Sequence, residues 1–272
     1  MMSKAMEHAM CSGELCPICA DDLTLASGQQ LRVVAFYCPD TGLTPCDVRT
    51  NGGPLANFWP LPTPIVVRHN GVQGQFTNSE AAYQSLKWWQ HESTREAFEA
   101  CTASGLKGGG DAFRLKCKCE ANPDLAPFLD TDFDGLGKFG AMVFVLRQKW
   151  RLSGFRELLL STAGMLLVEH AATAGRDLYW TDNQHGGGSN RLGAALMCVR
   201  EELLHEQSPS PPTAWPNCVP WPSWVRSAAE VPATAMSTES AVCKDHDLDI
   251  AWQSLIDEVA LMLAALDSSA NP

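Results

Sequence analysis

Asn78-Ser79-Glu80-Ala81-Ala82-Tyr83-Gln84-Ser85-Leu86-Lys87-Trp88-Trp89 reads as the opening of a helix. Asn78 or Ser79 can cap it, Glu80 lies in the first turn where a carboxylate suits the helix dipole, and no Gly or Pro interrupts the run before Ser93. Wound as an α-helix, Ala82, Leu86 and Trp89 share an apolar face. Glu80, Gln84, Lys87 and His91 form a narrow stripe almost opposite, with Tyr83 at its edge. Glu80 and Gln84 are neighbours at i,i+4, as are Gln84 and Lys87 at i,i+3. The stripe is either a solvated face or a carboxylate, an amide and an amine turned toward a cleft. Spacing alone leaves both open.

The chain has 272 residues, 45% of them hydrophobic, which suits one large domain or a medium domain with appendages. No apolar run approaches a membrane span. Lys4, Glu7 and Glu14 occupy the N-terminus without an apolar signal core, so a cytosolic (cytoplasmic) protein with no membrane association is expected. A net charge of −11 argues against wrapping bulk nucleic acid, while leaving room for a basic pocket around one phosphate. The eleven cysteines are scattered, as free thiols would be. Cys16 and Cys19 make a C-x2-C step, with Cys11, Cys38 and Cys46 nearby, but no second tight pair matches it. No metal site is expected.

Residues 1–30 read as a Cys-containing extension. Leu31 to Tyr37 is a β-type run, and Ile65 to Arg68 a second strand before an Asn70-Gly71 turn. Between them lies the irregular, aromatic Leu55-Ala56-Asn57-Phe58-Trp59-Pro60. Gly108-Gly109-Gly110 lacks the Gly-Lys-Ser/Thr of a phosphate cradle and is expected to be a flexible loop. Lys138 to Trp150 and Phe155 to Thr162 read as helices, with Met142, Leu146 and Trp150 forming a core stripe. Asp177, Tyr179, Trp180, Asp182, Asn183 and His185 crowd a loop with Gly186-Gly187-Gly188, which feeds a helix from Asn190 to about Leu204. Such a loop is either an anion or sugar site or an ordinary turn. Residues 207–245 read as a Pro/Ser/Trp-rich linker with Trp215, Trp221 and Trp224, and 246–267 as an amphipathic helix that packs on the domain or on another chain. The pattern is α+β, rich in helix with a few short strands.

Taken in order, these segments resemble the NADAR superfamily, whose best-known branch is the YbiA-like N-glycosidases. Phe36-Tyr37 matches its opening strand, and Leu55 to Pro60 its L-S-N-F-[YW]-P. Glu80 to Lys87 matches E-H-x-[YF]-Q-x-x-K, Met142 with Lys149-Trp150 matches M…K-F, and Leu159 to Thr162 matches L-L-x-T. Leu167-Val168-Glu169 matches L-V-E. Asp177, Trp180, Asp182, Gly188, Asn190, Leu192-Gly193, Met197 and Arg200 follow the closing D-x-x-W-G-D-G…G-x-N-x-L-G-x-x-L-M-x-x-R. The resemblance covers roughly residues 31–206 and says nothing of either end. Thr181 and Asn183 stand where the family usually has Gly, Phe133 where a Trp is common, and His185 where many members carry Asp.

The resemblance implies a compact, predominantly helical single domain that hydrolyses an N-glycosidic bond to a phosphorylated ribose. In the YbiA-like branch the substrates are ribosylamino-pyrimidine phosphates of riboflavin biosynthesis, and other members remove ADP-ribose from guanine bases. No cofactor or metal is implied. Carried onto this chain, Glu80 takes an acid/base or electrostatic role and Asp177 is the second carboxylate. Lys87 acts either as an ammonium at the phosphate or leaving group, or as a neutral amine forming a Schiff base. Phe58, Trp88 and Trp180 would stack on the base, and Asn57, Gln84 and Asn190, with Asp182 beside them, would bind sugar or phosphate. Three other readings remain: a guanine–ADP-ribose hydrolase acting on nucleic acid, a non-catalytic ADP-ribose or NAD binder, and an interaction protein working through its two ends.

Overall fold

The computed structural model describes residues 15–38, 43–101, 108–206 and 244–269. Cys11 and the linker tryptophans Trp215, Trp221 and Trp224 lie outside them. Strand β1 (Asp21–Thr24) pairs antiparallel with β2 (Gln30–Phe36), Asp21 opposite Val33. Helix α1 (Pro45–Thr50) follows. The hairpin of β3 (Ile65–His69) and β4 (Val72–Phe76) forms a separate two-stranded sheet. It turns at Asn70 and Gly71, both with positive φ as a two-residue hairpin requires. The sequence read that turn and β3, but β4, with Gly74 at its centre, carried no strand signal.

Helices α2 (Ser79–Ser85), α3 (Glu92–Ala100), α4 (Gly108–Ala121), α5 (Gly137–Lys149) and α6 (Phe155–Leu160) lead to β5 (Leu166–Glu169). Strand β5 lies parallel to β2, with Phe36 beside Glu169. The sheet order is β1-β2-β5, so β2 is central, and Val33 to Phe36 are fully buried. Helix α7 (Arg191–Glu206) packs on β5 and α5. Its approach to β5 depends on Gly193, where a Cβ would sit 2.1 Å from the Leu167 carbonyl oxygen. Arg200, buried in the same interface, donates to the Thr162 and Met165 carbonyls at 2.6 and 2.8 Å and ties down the turn before β5. The result is a predominantly helical α+β domain with a few short strands.

Three expectations change. Residues 15–30, read as part of an extension, carry β1 and bury Ile18, Leu23 and Leu25 in the core. The run from Asn78 does not stay helical to Trp89. Helix α2 stops at Ser85, a 3-10 turn covers Leu86–Trp88, and α3 restarts at Glu92. The break lets two adjacent indoles bury at once. Trp88 stacks on Phe98, while Trp89 packs near Phe76 and donates Nε1–H to the His69 carbonyl at 2.9 Å. Gly108-Gly109-Gly110, expected as a loop, opens α4.

The last helix, α8 (Lys244–Ser269), packs on the domain. Trp252, Ile256, Val259 and Leu263 are buried in the common core. Arg49 of α1 bridges Asp21 of β1 and Asp267 of α8. Among the described residues, no helix is long and apolar enough to cross a membrane.

Candidate active site

A cavity of about 750 Å³ opens at the carboxyl ends of the parallel strands β2 and β5. Tyr37, just past β2, and Glu169, the last residue of β5, line it. Asp47 of α1 aims the first of these, accepting the backbone N–H groups of Tyr37 and Cys38 at 2.8 and 2.7 Å. Helix α2 presents Glu80, Tyr83 and Gln84 to the cavity, and the turn after it presents Lys87. Asn78 caps α2 by accepting from the Ala81 N–H at 2.7 Å. The Glu80 N–H donates to the Asn57 carbonyl at 3.1 Å, so the L-A-N-F loop and α2 are fixed to one another.

Three carboxyl groups share this space. Glu80 accepts Gln84 Nε2–H at 2.8 Å. Burial pushes its carboxyl up, Gln84, Lys87 and Lys116 pull it down, and Asp177 raises it. Glu169 has no such compensation. Burial first, then the charges of Asp177, Glu80, Asp182 and Asp47, hold it well above the carboxylate range. Asp177 Oδ1 accepts the backbone N–H groups of Tyr179 and Trp180, each at 2.9 Å, which fixes the loop. Among the described residues, Asn57 Oδ1, Gln84 Oε1 and Glu169 Oε2 are buried oxygens with no hydrogen-bond partner. All three belong to residues lining the cavity.

The remaining wall is cationic and aromatic. Lys87 and Lys116 both reach Glu120, at 3.0 and 2.8 Å. Lys138 sits over the Tyr179 ring at 3.7 Å and is pulled below the usual lysine value, chiefly by burial. Arg114 and Arg176 also line the cavity. Tyr83 stacks on Phe133 with centroids 4.9 Å apart and meets Trp180 edge-on at 5.6 Å.

Of the residues singled out from sequence, Asn57, Phe58, Glu80, Gln84, Lys87, Asp177 and Trp180 line this one cavity. Three others do not. Trp88 is 1% exposed and belongs to the core beside Phe98. Asp182 is fully buried and holds its loop, accepting from the Ala171 and Gln184 N–H groups and meeting His170 Nδ1 at 2.5 Å. Asn190 is fully buried against β5. His91 leaves the stripe, pairing with Thr94 Oγ1 at 2.8 Å against the Phe128 ring. Sequence reasoning missed Arg114, Lys116, Lys138 and Arg176, which come from two helices and a loop and share no spacing. Glu169 was visible as the polar end of an apolar run, without an assigned role.

Fold and cavity together define a small α+β domain with an acid-and-cation-lined cleft. No protein-family model matches the chain. The chain is similar to the N-glycosidase YbiA of Escherichia coli (strain K12), 52% identical over 52 residues, which are 19% of this chain and 31% of the relative. The match to that relative thus spans about a third of its length. It is also 29% identical over 171 residues to a riboflavin biosynthesis protein of Vibrio vulnificus (strain YJ016), covering 62% of this chain and 38% of the other. The NMR structure of the E. coli protein YbiA aligns with 74% of this chain and all of its own, at 27% identity and a TM-score of 0.48. These relatives support the resemblance to the YbiA-like proteins that the order of motifs gave.

Proposed function

We propose that the protein is an N-glycosidase that hydrolyses the bond between a base or amine nitrogen and the anomeric carbon of a phosphorylated ribose. Ribosylamino-pyrimidine phosphates are the substrates of choice in this reading, in keeping with the names of the two relatives. The observation that carries it is the lining of one cavity by three carboxyl groups, Glu80, Glu169 and Asp177, together with the cations Lys87, Lys116, Lys138, Arg114 and Arg176. Cleavage builds positive charge at the anomeric carbon, which carboxylates stabilise, and the cations suit a phosphate. Glu80 is assigned to the anomeric carbon and its attacking water, and Asp177 is the second carboxylate. Asn57 and Gln84 have free acceptors for sugar hydroxyls, and Trp180, Phe58 and Tyr83 offer faces to a base. The Lys87 ion pair with Glu120 favours its action as an ammonium rather than as an amine nucleophile.

The test is incubation of purified protein, beside Glu80→Gln, with ribosylamino-pyrimidine phosphates and with an ADP-ribosylated guanine oligonucleotide. Release of ribose 5-phosphate by the wild type, lost in the variant, is expected. Release of ADP-ribose alone would replace the substrate assignment, and binding of ADP-ribose without cleavage of either would replace the enzyme by a binding module.

A further inference from the structure

Breaking a C–N bond to an amino-pyrimidine expels a strongly basic nitrogen unless a proton arrives with the electron pair. Several groups lining the cavity are poorly placed to supply that proton. Asp177 Oδ1 is engaged by two backbone N–H groups of its own loop. Glu80 accepts from Gln84 and feels two lysines. Lys87 is engaged with Glu120. The Tyr83 hydroxyl is driven far above the ordinary phenol range, first by burial and then by Glu80.

Glu169 differs from all of these. It is 8% exposed and ends β5 beside Phe36, where the cavity begins. Its backbone is fixed on both sides: its N–H donates to Asn190 Oδ1 at 3.0 Å, and its carbonyl accepts the Asp182 N–H at 3.0 Å. Its Oε2 is buried with no partner among the described residues. A carboxylate oxygen left bare in a closed wall is costly, whereas a carboxylic acid there has a proton to give.

We propose that Glu169 is the general acid of the N-glycosidase reaction, delivering a proton from its carboxyl to the leaving nitrogen. This role rests on the glycosidase reading. In the step, the C1′–N bond breaks and its electron pair takes the Glu169 proton as the amine departs. Water adds to C1′ and gives its proton to the Glu80 carboxylate. Proton exchange with solvent then restores a protonated Glu169 and an ionised Glu80. The net change is substrate plus water to amine plus ribose phosphate. The two carboxyls differ in their surroundings: at Glu80 an amide donor and two lysines oppose the upward push of burial, whereas at Glu169 burial and the neighbouring carboxylates act in the same direction.

The experiment compares wild type, Glu169→Gln and Glu80→Gln on two substrates. One is a ribosylamino-pyrimidine 5-phosphate. The other is 4-nitrophenyl ribofuranoside 5-phosphate, whose nitrophenolate leaves without protonation. Glu169→Gln is expected to lose roughly 100-fold or more in kcat on the first, within the range of general acid catalysis, and less than about tenfold on the second. Glu80→Gln should lose activity on both. The alkaline fall of kcat/KM should be present in wild type on the first substrate only and absent from Glu169→Gln. Equal losses on the two substrates, or an alkaline fall that survives in Glu169→Gln, would overturn the role while leaving the glycosidase standing. A wild type that cleaves neither substrate would overturn both. If Glu169→Gln does not fold, the wild-type profiles decide: an alkaline fall on both substrates removes Glu169 from the reaction.

Discussion

Asn190 holds the backbone of Glu169, its Oδ1 accepting the Glu169 N–H at 3.0 Å while its Nδ2 donates to the Leu167 carbonyl at 2.9 Å. One side chain thus replaces two missing ladder partners at the end of β5 and sets where the Glu169 carboxyl begins. Asn190 itself adopts φ 45°, which Asn tolerates better than most residues. Asn190→Ala leaves two buried backbone groups unpaired, at about 1–3 kcal/mol each. A loss of about 2–6 kcal/mol is therefore expected from urea unfolding. Turnover should also fall in the folded variant. A loss within about 0.5 kcal/mol would show that water or a shifted backbone takes over the amide's work.

The same residue shows what could be read from the sequence. Asn190 was legible as functional, but as a ligand contact, because a polar residue in a glycine-rich loop before a helix looks the same whether it faces a sugar or a strand. Asp182 misled in the same way. The positions Glu80, Gln84 and Lys87 were placed together by helical spacing alone, and the first two do lie on one turn of α2. Lys87 reaches the cavity through a 3-10 turn that periodicity did not show. The break arises from tertiary packing, since Trp88 and Trp89 fill separate pockets. Strand β1, Asp-Asp-Leu-Thr, has half its residues charged and owes its pairing to β2 rather than to propensity. The cations Lys116, Lys138 and Arg176 meet only after folding, so no local pattern could announce them.

Glu169 should leave a mark on stability as well as on chemistry. Its folded-state carboxyl lies above the unfolded value, so the folded chain keeps a proton that the unfolded chain releases above about pH 4.3. Its contribution is therefore most favourable at acid pH and is lost as pH rises from there through the folded-state value. Glu169→Gln removes this penalty. The variant should gain on wild type as pH increases from 4.5 toward 8, measured as the difference in urea midpoints. A difference that stays flat or reverses would mean that the buried carboxyl is ionised.

Lys149 should give the opposite slope. It is fully buried, donates from Nζ to the Ala56 carbonyl at 2.9 Å, and so supports the loop that carries Asn57. Burial lowers its amine to about 7, with the Cys38 thiol opposing slightly. Between that value and about 10.4 the unfolded chain holds a proton that the folded chain has given up. Stability from this group therefore rises with pH across the window and is lost as pH falls through about 7. In Lys149→Met that rise should disappear, so wild type gains on the variant between pH 7 and 10. Parallel stability profiles would show that the amine is charged inside the fold.

Helix α8 is expected to stabilise the cavity from behind through the glycine-rich loop. Trp252 is 1% exposed and donates Nε1–H to the Ser189 carbonyl at 3.0 Å. Gln253 donates to the Gly188 carbonyl at 2.9 Å, and Asp257 accepts the Gly187 N–H at 2.6 Å. These contacts hold the residues immediately before Asn190, and through it the end of β5. Trp252→Ala should cost about 3–5 kcal/mol, the usual range for emptying a buried indole site. It should also increase amide hydrogen exchange at Gly187 and Asn190, whose N–H groups are bonded in this network. If exchange rises only within α8 itself, the helix is an appendage with its own stability. If it rises in the loop and at Glu169 together, α8 and the cavity wall open as one unit, as their connection through Ser189 and Asn190 predicts.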